Sequence, residues 1–280
     1  MALSSSGSLR PDALGDALAA LRKDPPLVQC LTNIVVANYT ANVLLAAGAS
    51  PAMVDNPAEA EEFATVAGGV LVNLGTPYVD TAEAMRAAVR GAARSGKPWI
   101  LDAVAAGALA WRTGIAHELI GQHAPVVIRG NASEVIALAG RGSGGRGVES
   151  TDPVEASHEA AMDLAQRVGT VVAVSGAVDH LTDGTHVVRL ANGHPWLTQV
   201  TGGGCALGAL MAAFAAVVDD ALVAASAATA TLTVAADVAA EHSKGPGTFA
   251  VALLDSLDAL SPDQLSVRVR LGRPCDRLST

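Results

Sequence analysis

Val200-Thr201-Gly202-Gly203-Gly204-Cys205-Ala206-Leu207-Gly208 leads into Ala209 to Val218, a long apolar segment rich in good helix formers. Three consecutive glycines lack Cβ, so the backbone can take positive φ and approach a ligand closely. A helix starting after them directs free N–H groups and a positive dipole end at whatever lies in front. Cys205 falls in or near the first helical turn, where a thiolate is expected to be stabilised and the thiol pKa lowered. Gly202, Gly203 and Gly204 then form an anion hole beside a potential base, an arrangement suited to phosphoryl transfer to an alcohol. The same residues also fit a glycine-rich turn with a buried, inert cysteine.

Working outward, strands alternate with helices. Apolar runs at Leu27 to Leu31, Ser50 to Val54, Val70 to Leu74, Pro98 to Leu101, Pro125 to Ile128 and Thr170 to Val174 read as strands. Between them, helices are expected near 11–22, 34–47, 81–95, 109–122 and 152–168, with an acidic one opening at Asn56-Pro57 that contains Glu59, Glu61 and Glu62 and another starting near Asn131. Ala177 to Leu181 and His186 to Leu190 flank Thr182-Asp183-Gly184-Thr185, which reads as a hairpin. The remainder is helical over 205–218, 221–241 and 248–260. This alternation predicts an α/β fold, with a mostly parallel central sheet covered by helices on both faces. No low-complexity linker divides the 280 residues, so one domain is expected, with 1–10 and 266–280 as peripheral tails. In such sheets ligands bind beyond the C-terminal strand ends. Asn33, Met53, Asp102, Arg129 and Ser175 all fall at such ends, which predicts one cleft assembled from their loops.

Composition narrows the function. The chain is 50% hydrophobic and 16% charged, which supports a sizeable core. A net charge of −9 argues against nucleic-acid binding. Ala221 to Ala240 is interrupted by Ser226, threonines and Asp237, so no membrane span is expected. Cys30, Cys205 and Cys275 are odd in number and far apart, which fits a reducing cytoplasm and not a disulfide framework. No HExxH spacing suggests zinc. Gly140 to Gly147 contains GxGxxG but follows a helix, so it reads as a surface loop and not a dinucleotide site. Gly96-Lys97 runs into Pro98, which excludes a Walker A loop.

Asn131-Ala132-Ser133-Glu134 carries two compatible readings. It is close to a capping box, and Glu134 could also hold the water shell of Mg²⁺, which needs only one or two carboxylates. Asp102 at a strand end reads as a magnesium or phosphate-region carboxylate, or as a helix cap. Arg129 would suit a phosphate.

Taken together, these pieces resemble hydroxyethylthiazole kinase, a thiamine-salvage family of the ribokinase-like superfamily. The resemblance runs from about residue 27 to 260. It is carried by Gln29-Cys30-Leu31-Thr32-Asn33, Ala46-Ala47-Gly48-Ala49-Ser50-Pro51-Ala52-Met53, Leu71-Val72-Asn73-Leu74-Gly75-Thr76, Ile128-Arg129-Gly130-Asn131-Ala132-Ser133-Glu134, Val174-Ser175-Gly176-Ala177-Val178-Asp179, Val200 to Cys205 and Lys244 to Phe249. It implies a ribokinase-like fold and ATP-dependent phosphorylation of the primary alcohol of 4-methyl-5-(2-hydroxyethyl)thiazole, with Mg²⁺. It also implies a homotrimer with sites between subunits. By motif it assigns Cys205 the place of the superfamily's Asp base. Met53 and Gly202 fall at substrate-binding positions, with Asn33 close to the thiazole. Arg129 and Ser175 fall at ATP-binding positions, and Glu134 in the magnesium-linked Asn-x-x-Glu. Alternatives on the same fold are a hydroxymethylpyrimidine or pyridoxal kinase and an ATP/ADP-dependent nicotinamide-hydrate dehydratase. A non-catalytic ligand-binding protein is a further one. One segment departs from the pattern: where the family reads Asp-Pro-Val-Gly-x-Gly, this chain reads Asp102-Ala103-Val104-Ala105-Ala106-Gly107. The substitutions change the permitted backbone there.

Overall fold

The computed structural model describes residues 9–140 and 153–272. The strands are β1 (Leu27–Leu31), β2 (Ser50–Ala52), β3 (Gly69–Asn73), β4 (Trp99–Asp102), β5 (Val127–Asn131), β6 (Val171–Ser175), β7 (Asp179–Thr182) and β8 (Val187–Leu190). The helices are α1 (Pro11–Lys23), α2 (Ala37–Ala47), α3 (Ala60–Val66), α4 (Val79–Arg94), α5 (Ala110–Gln122) and α6 (Ala132–Leu138). They continue with α7 (Pro153–Val168), α8 (Gly203–Ala215), α9 (Ala221–Glu241), α10 (Pro246–Ala259) and α11 (Pro262–Arg268).

The strands form one sheet of eight in the order β2-β1-β3-β4-β5-β6-β7-β8. β1 to β6 are parallel, and β7 and β8 add an antiparallel hairpin, as the sequence predicts. From β1 the chain steps outward to β2, then returns to β3 on the other side of β1. That reversal opens a crevice at the C-terminal ends of β1 and β3, where open α/β sheets bind ligands.

An apolar layer covers each face. On one face α1, α2, α8, α9 and α10 enclose the larger core, and on the other α3 to α7 enclose the second. The central strands are buried on both sides, so they read as unbroken apolar runs. α9 is long and apolar enough to cross a membrane, with a mean hydropathy of 1.6, but 83% of that window is buried inside the protein. Its small side chains are packed against α8 and α10.

Several boundaries differ from the sequence reading. α2 begins at Ala37 and α3 at Ala60, because turns follow Asn33 and Asn56. The expected peripheral tail is docked as far as Leu271. α11 packs on α1, Leu271 pairs with Leu190, and Asn192 Nδ2 donates to the Arg268 carbonyl at 3.0 Å. The apolar positions that dock it are short and interleaved with Arg268, Arg270 and Arg273, which gave the segment its basic, solvent-facing look. The Gly-rich 141–147 stretch and Cys275 lie outside the described residues.

Tight packing of α8 on the sheet depends on Gly69. A Cβ there would lie 2.3 Å from the Ala212 carbonyl oxygen, which is backbone and cannot step aside. Gly69→Ala should therefore destabilise the protein by about 1–3 kcal/mol, the usual range for overpacking. A denaturation midpoint equal to that of the unaltered protein would contradict this packing.

Candidate active site

α8 is entered through Gly202, which takes φ +103 in the left-handed region and offers no side-chain cap. The first-turn N–H groups of Gly203, Gly204 and Cys205 are left for a ligand. Arg129, from β5, lies across this helix end. A Cβ on Gly204 would come 2.6 Å from Arg129 Nη2, so any larger residue there would require the guanidinium to shift.

The guanidinium is fixed on its other sides. Nη1 donates to Asp102 Oδ1 at 3.0 Å, while Nη2 and Nε donate to Ser175 Oγ at 3.0 and 3.3 Å. Asp102 is fully buried, and its Oδ2 accepts from Asn73 Nδ2 at 2.5 Å. Asn73 Oδ1 accepts from Asn33 Nδ2 at 2.9 Å, and the same nitrogen lies 3.4 Å from Cys205 Sγ. One chain of polar contacts thus runs from Cys205 through Asn33, Asn73, Asp102 and Arg129 to Ser175. It crosses the C-terminal ends of β1, β3, β4, β5 and β6 and passes through the crevice between β1 and β3.

Four of the expected residues and the glycine turn are therefore brought together. Met53 is not. It follows the edge strand β2 and is 39% exposed, on the outer side of β1 from Asn73. Asn73 is the residue that the sequence reading did not single out. Its signal is a polar residue closing the otherwise apolar, wholly buried strand Gly-Val-Leu-Val-Asn. Asp179 was also passed over: it accepts from Gly176 N at 3.0 Å, and burial above all pushes its carboxyl up to about 6.

One expectation is corrected. Cys205 does not have a lowered pKa. Burial first, and the Asp102 carboxylate second, push its thiol upward; Asn73, Arg129 and Asn33 pull the other way and do not prevail. Asp102 is wholly buried and its charge is already paired with Arg129 at 3.0 Å, with Asn73 on its second oxygen, so the structure shows it bound to the protein's own cation. Among the described residues, no three His, Cys, Asp or Glu side chains gather as a metal site.

Glu134 forms the expected capping box. Its Oε2 accepts from Asn131 N at 2.8 Å, and Asn131 Oδ1 accepts from Glu134 N at 3.0 Å. Its Oε1 accepts from Ala105 N at 2.8 Å. Ala105 has φ +62, the single positive φ at a non-glycine among the described residues. The departing loop thus keeps a left-handed backbone despite carrying alanine, at a cost of about 1–2 kcal/mol. Ala103, in place of proline, donates its N–H to the Arg129 carbonyl at 3.0 Å.

Comparison with known proteins identifies the family and the fold. The model of the hydroxyethylthiazole kinase family matches residues 18–263. Hydroxyethylthiazole kinase of Clavibacter sepedonicus is 58% identical, over 91% of this chain and 93% of the relative. That of Cutibacterium acnes is 57% identical, over 91% and 92%. The solved structure of hydroxyethylthiazole kinase from Pyrococcus horikoshii superposes with a TM-score of 0.85 at 37% identity, covering 92% of this chain and 98% of that one. A pyridoxal kinase from Staphylococcus aureus shares the fold alone, with a TM-score of 0.57 at 15% identity and 76% and 88% coverage.

The raised thiol has a measurable consequence. Alkylation follows the thiolate, so in a Cys275→Ser protein the rate at Cys205 should keep rising with pH past the ordinary thiol value of 9.0. Cys30, pushed up to about 12 by burial, should stay silent. A rate that levels off below neutral pH would contradict the assigned surroundings of Cys205.

Proposed function

The chain belongs to the hydroxyethylthiazole kinase family, and on that premise we propose how its own residues divide the reaction. The protein is a phosphotransferase that phosphorylates the primary alcohol of 4-methyl-5-(2-hydroxyethyl)thiazole with ATP as co-substrate. The observation that carries the site assignment is the continuous polar chain from Cys205 to Ser175 at the open end of α8.

Arg129 and Ser175 bind the ATP phosphates, and the Gly202–Gly204 turn receives charge that builds on the γ-phosphoryl group. The substrate hydroxyl oxygen bonds to the γ-phosphorus. The bond from that phosphorus to the β,γ-bridging oxygen breaks, and ADP departs with the electron pair. The hydroxyl proton passes to Cys205 in its thiolate form, which the raised thiol makes the minor form at neutral pH, so turnover should rise with pH. Asn33 contacts the thiazole side of the crevice. Mg²⁺, when bound, neutralises phosphate charge. Glu134 fits it through coordinated water, because each carboxylate oxygen accepts one backbone N–H and keeps room for a water proton.

A homotrimer with sites between subunits is supported by exposed apolar side chains beside the crevice. Ile34 is 70% exposed, Val35 64%, Tyr78 60% and Val79 77%, on loops joined by Ile34 N donating to Thr76 Oγ1 at 3.3 Å. Such an assembly would also bring Met53 to a substrate position. A cytoplasmic location is supported by the two free cysteines among the described residues.

The test is ADP release with the thiazole alcohol, hydroxymethylpyrimidine and pyridoxal, on native protein and Cys205 variants. Turnover should be highest with the thiazole alcohol. Cys205→Ala should lose about 10²–10⁴-fold in kcat, the usual contribution of a positioned base. Cys205→Asp should restore turnover. Equal turnover of pyridoxal would defeat the substrate assignment, and undiminished kcat in Cys205→Ala would defeat the base.

A further inference from the structure

We propose that Asn73 is a positioning residue that acts on the reaction through Cys205, by holding Asn33 in the one amide orientation that turns an N–H toward the sulfur. The inference rests on the reading of Cys205 as the group that receives the alcohol's proton.

A carboxamide has a donor end and an acceptor end, and its neighbours decide which faces which way. At Asn73 both neighbours agree. The Gly75 backbone N–H, which can only donate, meets Oδ1 at 2.9 Å. The Asp102 carboxylate meets Nδ2. At Asn33 they agree again. Val35 N donates to Oδ1 at 3.2 Å, and Nδ2 donates to Asn73 Oδ1 at 2.9 Å. One N–H of Asn33 remains, and it faces Cys205 Sγ at 3.4 Å.

The sulfur therefore accepts from Asn33 and does not donate to it. Its own proton site stays free for the substrate hydroxyl. Charge on the sulfur meets a donor, which offsets part of the burial that pushes the thiol up. A flipped Asn33 would aim its carbonyl at the sulfur. It would then capture the thiol proton and repel a thiolate. Such a flip would also set the Val35 N–H against an NH₂ group and Asn73 Oδ1 against a carbonyl. Asn73 is only 1% exposed and Asn33 6%, so water cannot repair those mismatches cheaply. Without Asn73, Asn33 keeps the Val35 anchor alone.

The test is a double-mutant cycle on kcat at saturating thiazole alcohol and ATP. Asn73→Ala should lower kcat by about tenfold, the effect of losing one hydrogen bond to a charged group. The KM for ATP should change by less than about twofold, since the phosphate side of the chain is held by Ser175 and Asp102. In a Cys205→Ala background the same substitution should cost clearly less than in the native background, because the sulfur it serves is gone and only its bond to Asp102 remains to be lost. An equal tenfold loss in both backgrounds would mean that Asn73 acts on the fold and not through Cys205, and would overturn the inference alone. An undiminished kcat in Cys205→Ala would overturn the base assignment and the inference together. If Asn73→Ala does not fold, the cycle is read on Asn73→Ser. Serine keeps a hydroxyl for the Gly75 N–H but is too short to reach Asn33, so the same outcomes decide.

Discussion

The buried ion pair between Arg129 and Asp102 sets the positions of every other polar group in the site. It joins β5 to β4 at 3.0 Å, with Asp102 wholly buried and the Arg129 side chain 11% exposed. Two charges so deep are tolerable only when paired and fully hydrogen-bonded. Ser175 and Asn73 supply those remaining bonds, one on each side. Removing either charge would strand the other, at about 3–5 kcal/mol. The pair therefore demands a donor at the end of β3 and an acceptor at the end of β6. It also aims a planar cation at the end of α8, with its Asp102 partner held back from the crevice.

That cation can lie against the helix end only because the neighbouring backbone is bare. Gly204 leaves room for the guanidinium, and Gly69 lets α8 settle on β3. Alanines along α8 and α9 allow close helix packing behind them. A helix terminus held this firmly loses little entropy when it meets a phosphate, and its N–H groups are already oriented. The alanine-rich composition and the anion-binding geometry are thus two aspects of one packing solution.

Much of this was legible in the residues themselves. Apolar strand runs separated by amphipathic helices were enough for the parallel sheet, and Asp183-Gly184 between two short runs for the hairpin. Asn131 and Glu134, three apart, specified a capping box that the structure contains. Other features were hidden because they arise from groups distant in sequence. Asn73 looks like an ordinary strand end until Asp102 and Asn33 are placed beside it. The thiol of Cys205 sits at a helix start, which alone argues for a lowered pKa, yet burial near Asp102 outweighs that. Ala105 holds a glycine-like backbone because Glu134, 29 residues later, accepts its N–H. Charge and burial imposed by the tertiary fold decided each of these.

The most direct test of this account is Gly204→Ala. The added methyl would meet Arg129 Nη2 at 2.6 Å and push the guanidinium off the helix end, while the helix itself would accept alanine readily. Turnover of the thiazole alcohol should fall by about a hundredfold, as when a transition-state donor is lost, with some loss of melting temperature because the displaced guanidinium strains its pair with Asp102. Full turnover in Gly204→Ala would contradict the claim that Arg129, seated against the first turn of α8, organises the site.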